Sequence, residues 1–346
     1  MKVRKYKQDP PNAIQIELTE GCQLACSFCG MQGIRNNGAN GPKNIRGKNS
    51  KPYKYLKRGR AFIIAHQIAY EIAYNLWNPR IEFAMHGEPT LNPFCVKIVS
   101  IFREMLPRLP LMMTSNGGGF LKNTSSRIDK LMDVGLNVLL LDSYGELKIV
   151  DKIVNKYSGK YNIRFYPDDK KANPHIRRKV SEKLIVVAED PSIATTGTHS
   201  FINNHAGCAF PPNDNLQGKR CAKPFREISI RWDGNITICC NDFRGYYKCG
   251  NILDGDLNSI WQNEYFNAAR KKLYHGERNF GPCNGCDAYS YRTGLLPDRL
   301  GKKSLLRVSE SDSEAIKKAL SGKSYTKPIM RPWESESGIR REPVIV

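Results

Sequence analysis

Acidic residues are what this chain has too few of. It holds 33 Asp and Glu against 54 Lys and Arg over 346 residues, a formal charge of +21, and no acidic side chain falls between Gly30 and Arg60. Small neutral substrates need no such field. It favours polyanionic partners, above all nucleic acid, although a bias of surface composition gives the same balance. Also missing is any stretch near the ~20 apolar residues of a membrane span. The segment Met1-Lys2-Val3-Arg4-Lys5-Tyr6-Lys7 lacks the apolar core of a secretory signal. Eleven cysteines without such a signal are expected to be metal-bound thiols in a reducing cytoplasm rather than disulfides.

Three of those thiols stand together as Cys22-x3-Cys26-x2-Cys29. Thiolates at this density are soft ligands for zinc or iron–sulfur clusters. A structural zinc site closes with four ligands, whereas three cysteines on a cubane leave one iron open. A zinc knuckle or a disulfide cluster is the plainer alternative. Upstream, Ala13-Ile14-Gln15-Ile16-Glu17-Leu18 alternates as a short strand does, which places the thiols on a loop at a strand's C-terminal end.

With Phe28 directly before the third cysteine, this loop resembles that of the radical S-adenosylmethionine (SAM) superfamily. The resemblance implies a [4Fe–4S] cluster on Cys22, Cys26 and Cys29 whose open iron chelates SAM, and reductive cleavage of SAM to a 5′-deoxyadenosyl radical that abstracts hydrogen. It also implies an external electron donor such as a flavodoxin or ferredoxin, and places Phe28 near the adenine. A second match is His86-Gly87-Glu88-Pro89, which ends the strand expected at Arg80–Met85. The family's Gly-Gly-Glu-Pro turn receives the methionine amino group of SAM on backbone carbonyls. Here His86 departs from that pattern, and Gly87, Glu88 and Pro89 keep it. Ser115 and Asn116 take the place of the family's Thr-Asn-Gly turn, and Ser143 is a further candidate for the SAM carboxylate or ribose.

Around these motifs, strands and helices alternate. Helices are expected over Ala61–Trp77, about 94–106 and near 124–134, and strands at 111–117, 138–143, 161–166 and 184–188. Such alternation argues a parallel sheet with right-handed crossovers. The fold class is therefore α/β, a partial (β/α)6 TIM-type barrel over residues 1–200, with a basic insertion at 31–60. Basic residues interleaved with Tyr53 and Tyr55 in that insertion suit a phosphate backbone, and a mobile solvated loop is the other reading. A second cationic run holds Lys170, Lys171, His175, Arg177, Arg178 and Lys179.

A second group of thiols follows residue 200: Cys221, Cys239 and Cys283-x2-Cys286. An Asp233-Gly234 hairpin between Ile228–Trp232 and Ile236–Ile238, then a helix near 257–273, brings them together. Together with Asn204-His205-Ala206-Gly207, Pro224-Phe225, Gly250-Asn251-Ile252 and Ile260-Trp261, this resembles the SPASM extension in its shortened twitch form. The resemblance implies one auxiliary [4Fe–4S] cluster in a β-hairpin-plus-helix domain at 201–290. Cys208 and Cys240 compete as ligands, zinc is the alternative metal, and Cys95 and Cys249 read as buried thiols. Residues 291–346 read as a tail with one helix at Ser313–Leu320 capped by Ser313.

His86 and His205 are the candidate acid–base residues, since both sit in matched motifs. The charge points to modification of a nucleic acid, a DNA base or base substituent. A peptide or protein maturase is the competing reading, and a non-catalytic iron–sulfur protein a third.

Overall fold

The structure, a computed structural model, describes residues 8–24, 26, 28–31, 53–120, 124–143, 147–166, 168–173, 176, 178–189, 203–209, 211–212, 215–288 and 310–320. Most of the 31–60 insertion, His175, Arg177 and most of the 291–346 tail therefore lie outside the described residues.

In chain order the elements are β1 (Ala13–Ile16), β2 (Thr19–Glu20), β3 (Lys54–Tyr55), α1 (Arg58–Asn75), β4 (Arg80–Phe83), α2 (Cys95–Met105), β5 (Leu111–Ser115), α3 (Thr124–Asp133), β6 (Val138–Ser143), α4 (Leu147–Tyr157), β7 (Asn162–Tyr166) and β8 (Leu184–Glu189). The C-terminal half adds α5 (Lys223–Arg226), β9 (Glu227–Ile230), β10 (Asn235–Thr237), β11 (Lys248–Asn251), α6 (Leu257–Trp261), α7 (Glu264–Tyr274) and α8 (Glu310–Ala319).

Strands β1, β4, β5, β6, β8 and β7 pair in parallel, in that order. They form an open partial barrel rather than a closed one. Its last two strands are exchanged relative to chain order, and composition gives the reason. Leu184, Ile185, Val186 and Val187 of β8 are all buried, as a strand covered on both faces requires, whereas β7 exposes Asn162 and Phe165 and belongs at an edge.

At the other edge β9 pairs in parallel with β1, matching Ile14 to Ile228 and Ile16 to Ile230, and the antiparallel β10 and β11 complete a nine-stranded sheet. The expected hairpin exists, with a wider turn than Asp233-Gly234 alone: the Arg231 N–H donates to Asn235 O at 2.8 Å across Trp232, Asp233 and Gly234. Gly234 sits at φ +89°, and a Cβ there would lie 2.9 Å from Ile252 Cγ2, so only glycine fits without strain.

The outward strand residues Ile14, Ile16, Ile81, Phe83, Leu111, Met113, Leu139 and Leu141 pack with the helices into one large core. Helix α1 reaches across to the C-terminal half: Gln67 Nε2 donates to Ile252 O at 2.8 Å, and the buried Glu71 accepts from the Asn258 N–H at 3.1 Å. The helix expected near 257–273 is two. Asn263 breaks it by accepting from the Phe266 N–H at 3.0 Å and so capping α7. The tail helix begins at Glu310, so Ser313 lies inside it and is not its cap.

Candidate functional site

The C-terminal ends of the parallel strands converge on a cavity lined by Cys22, Cys26, Phe28, Cys29, Met85, Gly87, Glu88, Thr114, Ser115, Asn116 and Asp142, among others. Eight of the residues singled out in the sequence thus meet here: the three cysteines, Phe28, Gly87, Glu88, Ser115 and Asn116. Pro89 opens a short 3₁₀ turn behind the cavity. The Ser143 side chain lies outside the described residues, while its neighbour Asp142 is on the lining.

Gly87 is locked against the cysteine loop. It bridges Gly21, the Glu88 N–H donates to Gly21 O at 2.9 Å, and a Cβ on Gly87 would stand 2.3 Å from the carbonyl oxygens of Thr19 and Gly21. Glu88 is buried and acts as a hub. Its carboxylate accepts from the Thr90 N–H (3.0 Å) and hydroxyl, from Ser115 Oγ (2.8 Å) and from the Asn116 N–H (2.8 Å). Burial pushes its pKa up, and those hydrogen bonds pull the other way. The carboxylate is therefore occupied in fixing the turn, which leaves the backbone of 85–88 to face the cavity. Met85 takes φ +90°, an unfavourable conformation for a side chain of that kind, held by the same turn.

Asn116 ties this turn to the first thiol. Its Nδ2 donates to Cys22 Sγ at 3.2 Å, and its Oδ1 accepts from Gln23 Nε2 at 2.8 Å. The Leu24 N–H lies 3.4 Å from the same sulfur. Donors aimed at a cysteine sulfur stabilise thiolate charge, so this donor set fits a thiolate-held cluster.

Neither candidate histidine lines the cavity, and the structure places both in hydrogen bonds behind it. His86 is fully buried, with Nδ1 2.8 Å from Glu17 Oε1 and Nε2 2.7 Å from the carbonyl oxygen of Cys240. His205 accepts the Gly30 N–H on Nδ1 at 2.9 Å. Burial, with the His86 charge beside it, pushes the His205 pKa down to about 3, so it stays a neutral acceptor. Both rings pack on Phe243, with centroids 4.4 and 4.6 Å away.

Behind His86 lies an ionic cluster that sequence reading missed. Burial raises the Glu17 pKa, but Arg231 and His86 outweigh it and hold the carboxyl at about 2. Arg231 also pairs with Glu20 at 2.6 Å and donates to the carbonyls of Asp242 and Phe243. Glu17 was visible only as the polar break in an apolar strand.

The second group of thiols is brought together as expected. Cys221, Cys239, Cys283 and Cys286 stand near enough to act on one another: burial first, and then the neighbouring sulfurs, push Cys239 and Cys283 well up and Cys286 to about 11. Among the described residues no three His, Cys, Asp or Glu side chains close to the spacing of a single bound ion. The donor chemistry fits a larger anionic cluster: the Ala288 N–H lies 3.4 Å from Cys286 Sγ, and the half-buried Lys223 ammonium interacts with Cys221, Cys239 and Cys240.

Two buried arginines fix the backbone around Cys221. Arg278 donates to the carbonyls of Lys219 (2.9 Å) and Arg220 (3.2 Å), and Arg270 to that of Pro224 (2.8 Å). Asn204 docks on the 283–287 turn through Gly285 O at 2.8 Å and Asp287. Of the competing thiols, Cys240 Sγ lies 3.4 Å from Lys223 Nζ. Cys208 packs instead with Met31, Phe243 and Cys29, beside the first loop. Cys95 and Cys249 are buried.

Comparison with known proteins agrees with this arrangement. The iron–sulfur cluster-binding SPASM domain matches residues 221–287. The chain is 24% identical over 215 residues, 62% of its own length and 75% of the relative's, to an S-adenosyl-L-methionine-dependent 2-deoxy-scyllo-inosamine dehydrogenase of Niallia circulans. The crystal structure of BtrN in complex with AdoMet and 2-DOIA superposes with a TM-score of 0.58 at 19% identity, over 82% of this chain and 95% of that one. An open conformation of BtrN gives 0.51 at 17% identity, over 83% and 94%. The SPASM domain at 221–287, built onto the edge of a parallel sheet that carries a three-cysteine loop at its C-terminal end, and the similarity to a SAM-dependent dehydrogenase together support a radical SAM enzyme with a SPASM domain, with SAM and [4Fe–4S] clusters, an auxiliary cluster among them, as its cofactors.

Proposed function

We propose that the enzyme cleaves SAM at the Cys22–Cys29 loop and abstracts a hydrogen atom from a nucleic acid, at a base or base substituent. A reduced [4Fe–4S] cluster, when bound, supplies the electron for that cleavage. Cys22, Cys26 and Cys29 hold this cluster, and Asn116 and the Leu24 N–H stabilise the Cys22 sulfur. The 85–88 backbone, fixed by Glu88, receives the methionine end of SAM. Ser115 and Asn116 border it, and Phe28 packs by the adenine. Cys221, Cys239, Cys283 and Cys286 hold the auxiliary cluster, with Arg270 and Arg278 keeping Cys221 in place. The sheet and its helices exclude water, so that a primary-carbon radical meets only the intended C–H bond.

The observation that carries the substrate class is the +21 charge. In support, Lys54 stands on β3, whose partner β2 leads into the three-cysteine loop, and Lys170 and Lys171 follow the C-terminal end of β7. A second reading, oxidation of a small polar substrate, has one observation in its favour: the N. circulans relative is named for a 2-deoxy-scyllo-inosamine dehydrogenase activity. Peptide maturation remains a third arm of the test.

The test is 5′-deoxyadenosine release by anaerobically reconstituted, reduced enzyme with SAM and, in separate arms, single-stranded DNA, duplex DNA, an aminocyclitol and a peptide mixture. Stimulation by DNA is expected. Stimulation by the aminocyclitol or peptide with none by DNA overturns the nucleic-acid reading, and no 5′-deoxyadenosine in any arm overturns the SAM-cleaving assignment of the cysteine loop.

A further inference from the structure

A second cavity lies at the C-terminal end of β9, the parallel neighbour of β1. Its volume is about 230 Å³, and its walls come from the β2–β3 ribbon, the β9–β10 turn and the chain entering β11. That is room for roughly seven waters at ~30 Å³ each, or for one phosphate group and its hydration. Four cations line it, Lys54, Arg231, Arg244 and Lys248, against two carboxylates, Glu20 and Asp233.

The charges are not equivalent. Arg231 is buried and balanced by Glu17 and Glu20, and it forms the floor. Lys54 pairs with Glu20 at 2.8 Å and lies over the Trp232 ring, 5.1 Å from its centroid. Asp233 is turned to its own loop, accepting from the Asn235 N–H at 3.0 Å. Arg244 meets a hydroxyl, Tyr246 Oη at 3.2 Å, and the Cys208 thiol rather than a carboxylate, and Lys248 is exposed at the rim. The surplus of positive charge therefore belongs to Arg244 and Lys248.

Position relates this cavity to the reaction. Glu20 on its wall is two residues, at most about 7 Å of chain, from Cys22. Tyr53, next to Lys54, donates to the Cys22 carbonyl at 3.4 Å. A polyanion held here would run past the mouth of the cavity that the three cysteines line.

We propose that the cavity between Lys54, Arg231, Arg244 and Lys248 is a docking site for a backbone phosphate of a nucleic-acid strand, placing a neighbouring nucleotide at the three-cysteine cavity. The proposal rests on the nucleic-acid reading above and deepens it. Arg244 supplies a planar donor fork, which suits phosphate oxygens, and Lys248 a mobile point charge at the rim. The Arg231–Glu20–Lys54 network holds the floor in shape without consuming the surplus. An acidic peptide is the rival occupant, and the test separates the two.

The test is fluorescence-anisotropy titration of the reconstituted holoenzyme with labelled single-stranded and duplex oligonucleotides and with a labelled poly-glutamate peptide, between about 50 and 200 mM salt, the range over which phosphate contacts separate. The variants are Arg244→Gln with Lys248→Gln, Lys248→Gln alone, and a distant control, Lys317→Gln with Lys318→Gln on α8. Each lost phosphate contact lowers the slope of log K against log salt by about one. The double variant is expected to bind oligonucleotide about tenfold or more weaker with a slope lower by about one to two, and the control to match wild type. Should the double variant not fold, Lys248→Gln alone decides, with a slope lower by about one. Oligonucleotide binding with unchanged affinity and slope in the variants overturns the proposal and leaves the nucleic-acid reading standing. Loss of peptide binding alone in the variants overturns it in favour of an acidic polypeptide. Wild-type enzyme that binds no oligonucleotide at low salt removes both.

Discussion

His86 donates from Nε2 to the backbone carbonyl oxygen of Cys240 at 2.7 Å. One residue on from His86 begins the Gly87-Glu88 turn at the first group of thiols, and one residue before Cys240 stands Cys239 of the second. Where the related turn sequence carries a glycine, this chain has placed a ring that pins the two sites together through Glu17 on its other side. Phe243 fills the space between that ring and His205, which in turn holds Gly30 of the first loop. The histidines are the contact between the sites, and neither lines the cavity where hydrogen transfer is proposed.

His86→Leu is expected to destabilise the folded protein by about 3–5 kcal/mol, because it removes one partner of a buried ionic cluster and leaves Glu17 with Arg231 and the Trp232 N–H. Anaerobic chemical denaturation measures this. The same variant should alter the electron paramagnetic resonance signal of the auxiliary cluster, since the Cys240 carbonyl loses its donor. A loss below 1 kcal/mol (roughly the value of a surface pair,) with unchanged spectra would remove the linking role.

Glu17 makes stability depend on acid. Its folded pKa, about 2, lies below the ordinary value of 4.5, so the stabilisation is complete above pH 4.5 and is lost as pH falls through 2. The span corresponds to about 3 kcal/mol. Cluster loss in acid also destabilises the protein, so the informative quantity is the difference from Glu17→Gln. That difference should shrink toward zero between pH 4.5 and 2, and a difference that stays constant contradicts the assignment.

Gly87→Ala should cost SAM cleavage far more than it costs folding. Its Cβ would meet carbonyl oxygens of Thr19 and Gly21 at 2.3 Å, and backbone cannot yield as a side-chain tip does. Overpacking of this kind costs about 1–3 kcal/mol, whereas a displacement near 1 Å at a reacting centre costs about 10²-fold in rate. Thermal unfolding and 5′-deoxyadenosine release, measured together, separate the two effects.

Iron content distinguishes the thiols. Any one of Cys221→Ala, Cys239→Ala, Cys283→Ala or Cys286→Ala should lower iron from about eight to about four atoms per chain while SAM still perturbs the remaining cluster. Cys208→Ala and Cys95→Ala should leave iron unchanged. A Cys240→Ala variant that loses iron while Cys239→Ala keeps it would exchange the two neighbours' roles.

Much of the architecture could be read from local pattern. Ile64, Ile68 and Ala61 mark the buried stripe of α1, and the run Val138–Leu141 marks a strand covered on both sides. The exchange of β7 and β8 could not, because both look like strands, and the difference shows only when the exposure of Asn162 and Phe165 is set against the burial of Leu184–Val187. Helix α7 was legible in type and misjudged at its start, since the Asn263 cap competes with a helical pattern that runs through it.

By itself the sequence determined the candidate ligands and the chemistry their residue types allow. Cysteine spacing, the Gly87-Glu88-Pro89 turn and the charge excess are local or summed quantities, and no folding changes them. Only the tertiary structure decided what the polar residues near those motifs do. Whether a buried histidine is a base or a tether depends on which oxygens stand 2.7–2.8 Å from its nitrogens, and those belong to Glu17 and Cys240, 69 and 154 residues away. The same long-range closure makes Glu88 a scaffold for Ser115 and Asn116, and sets Arg244 and Lys248 beside the ribbon that carries Lys54. Hydrogen bonds and charge pairing act over a few ångströms of space, and sequence distance carries no information about that space until the sheet has closed it.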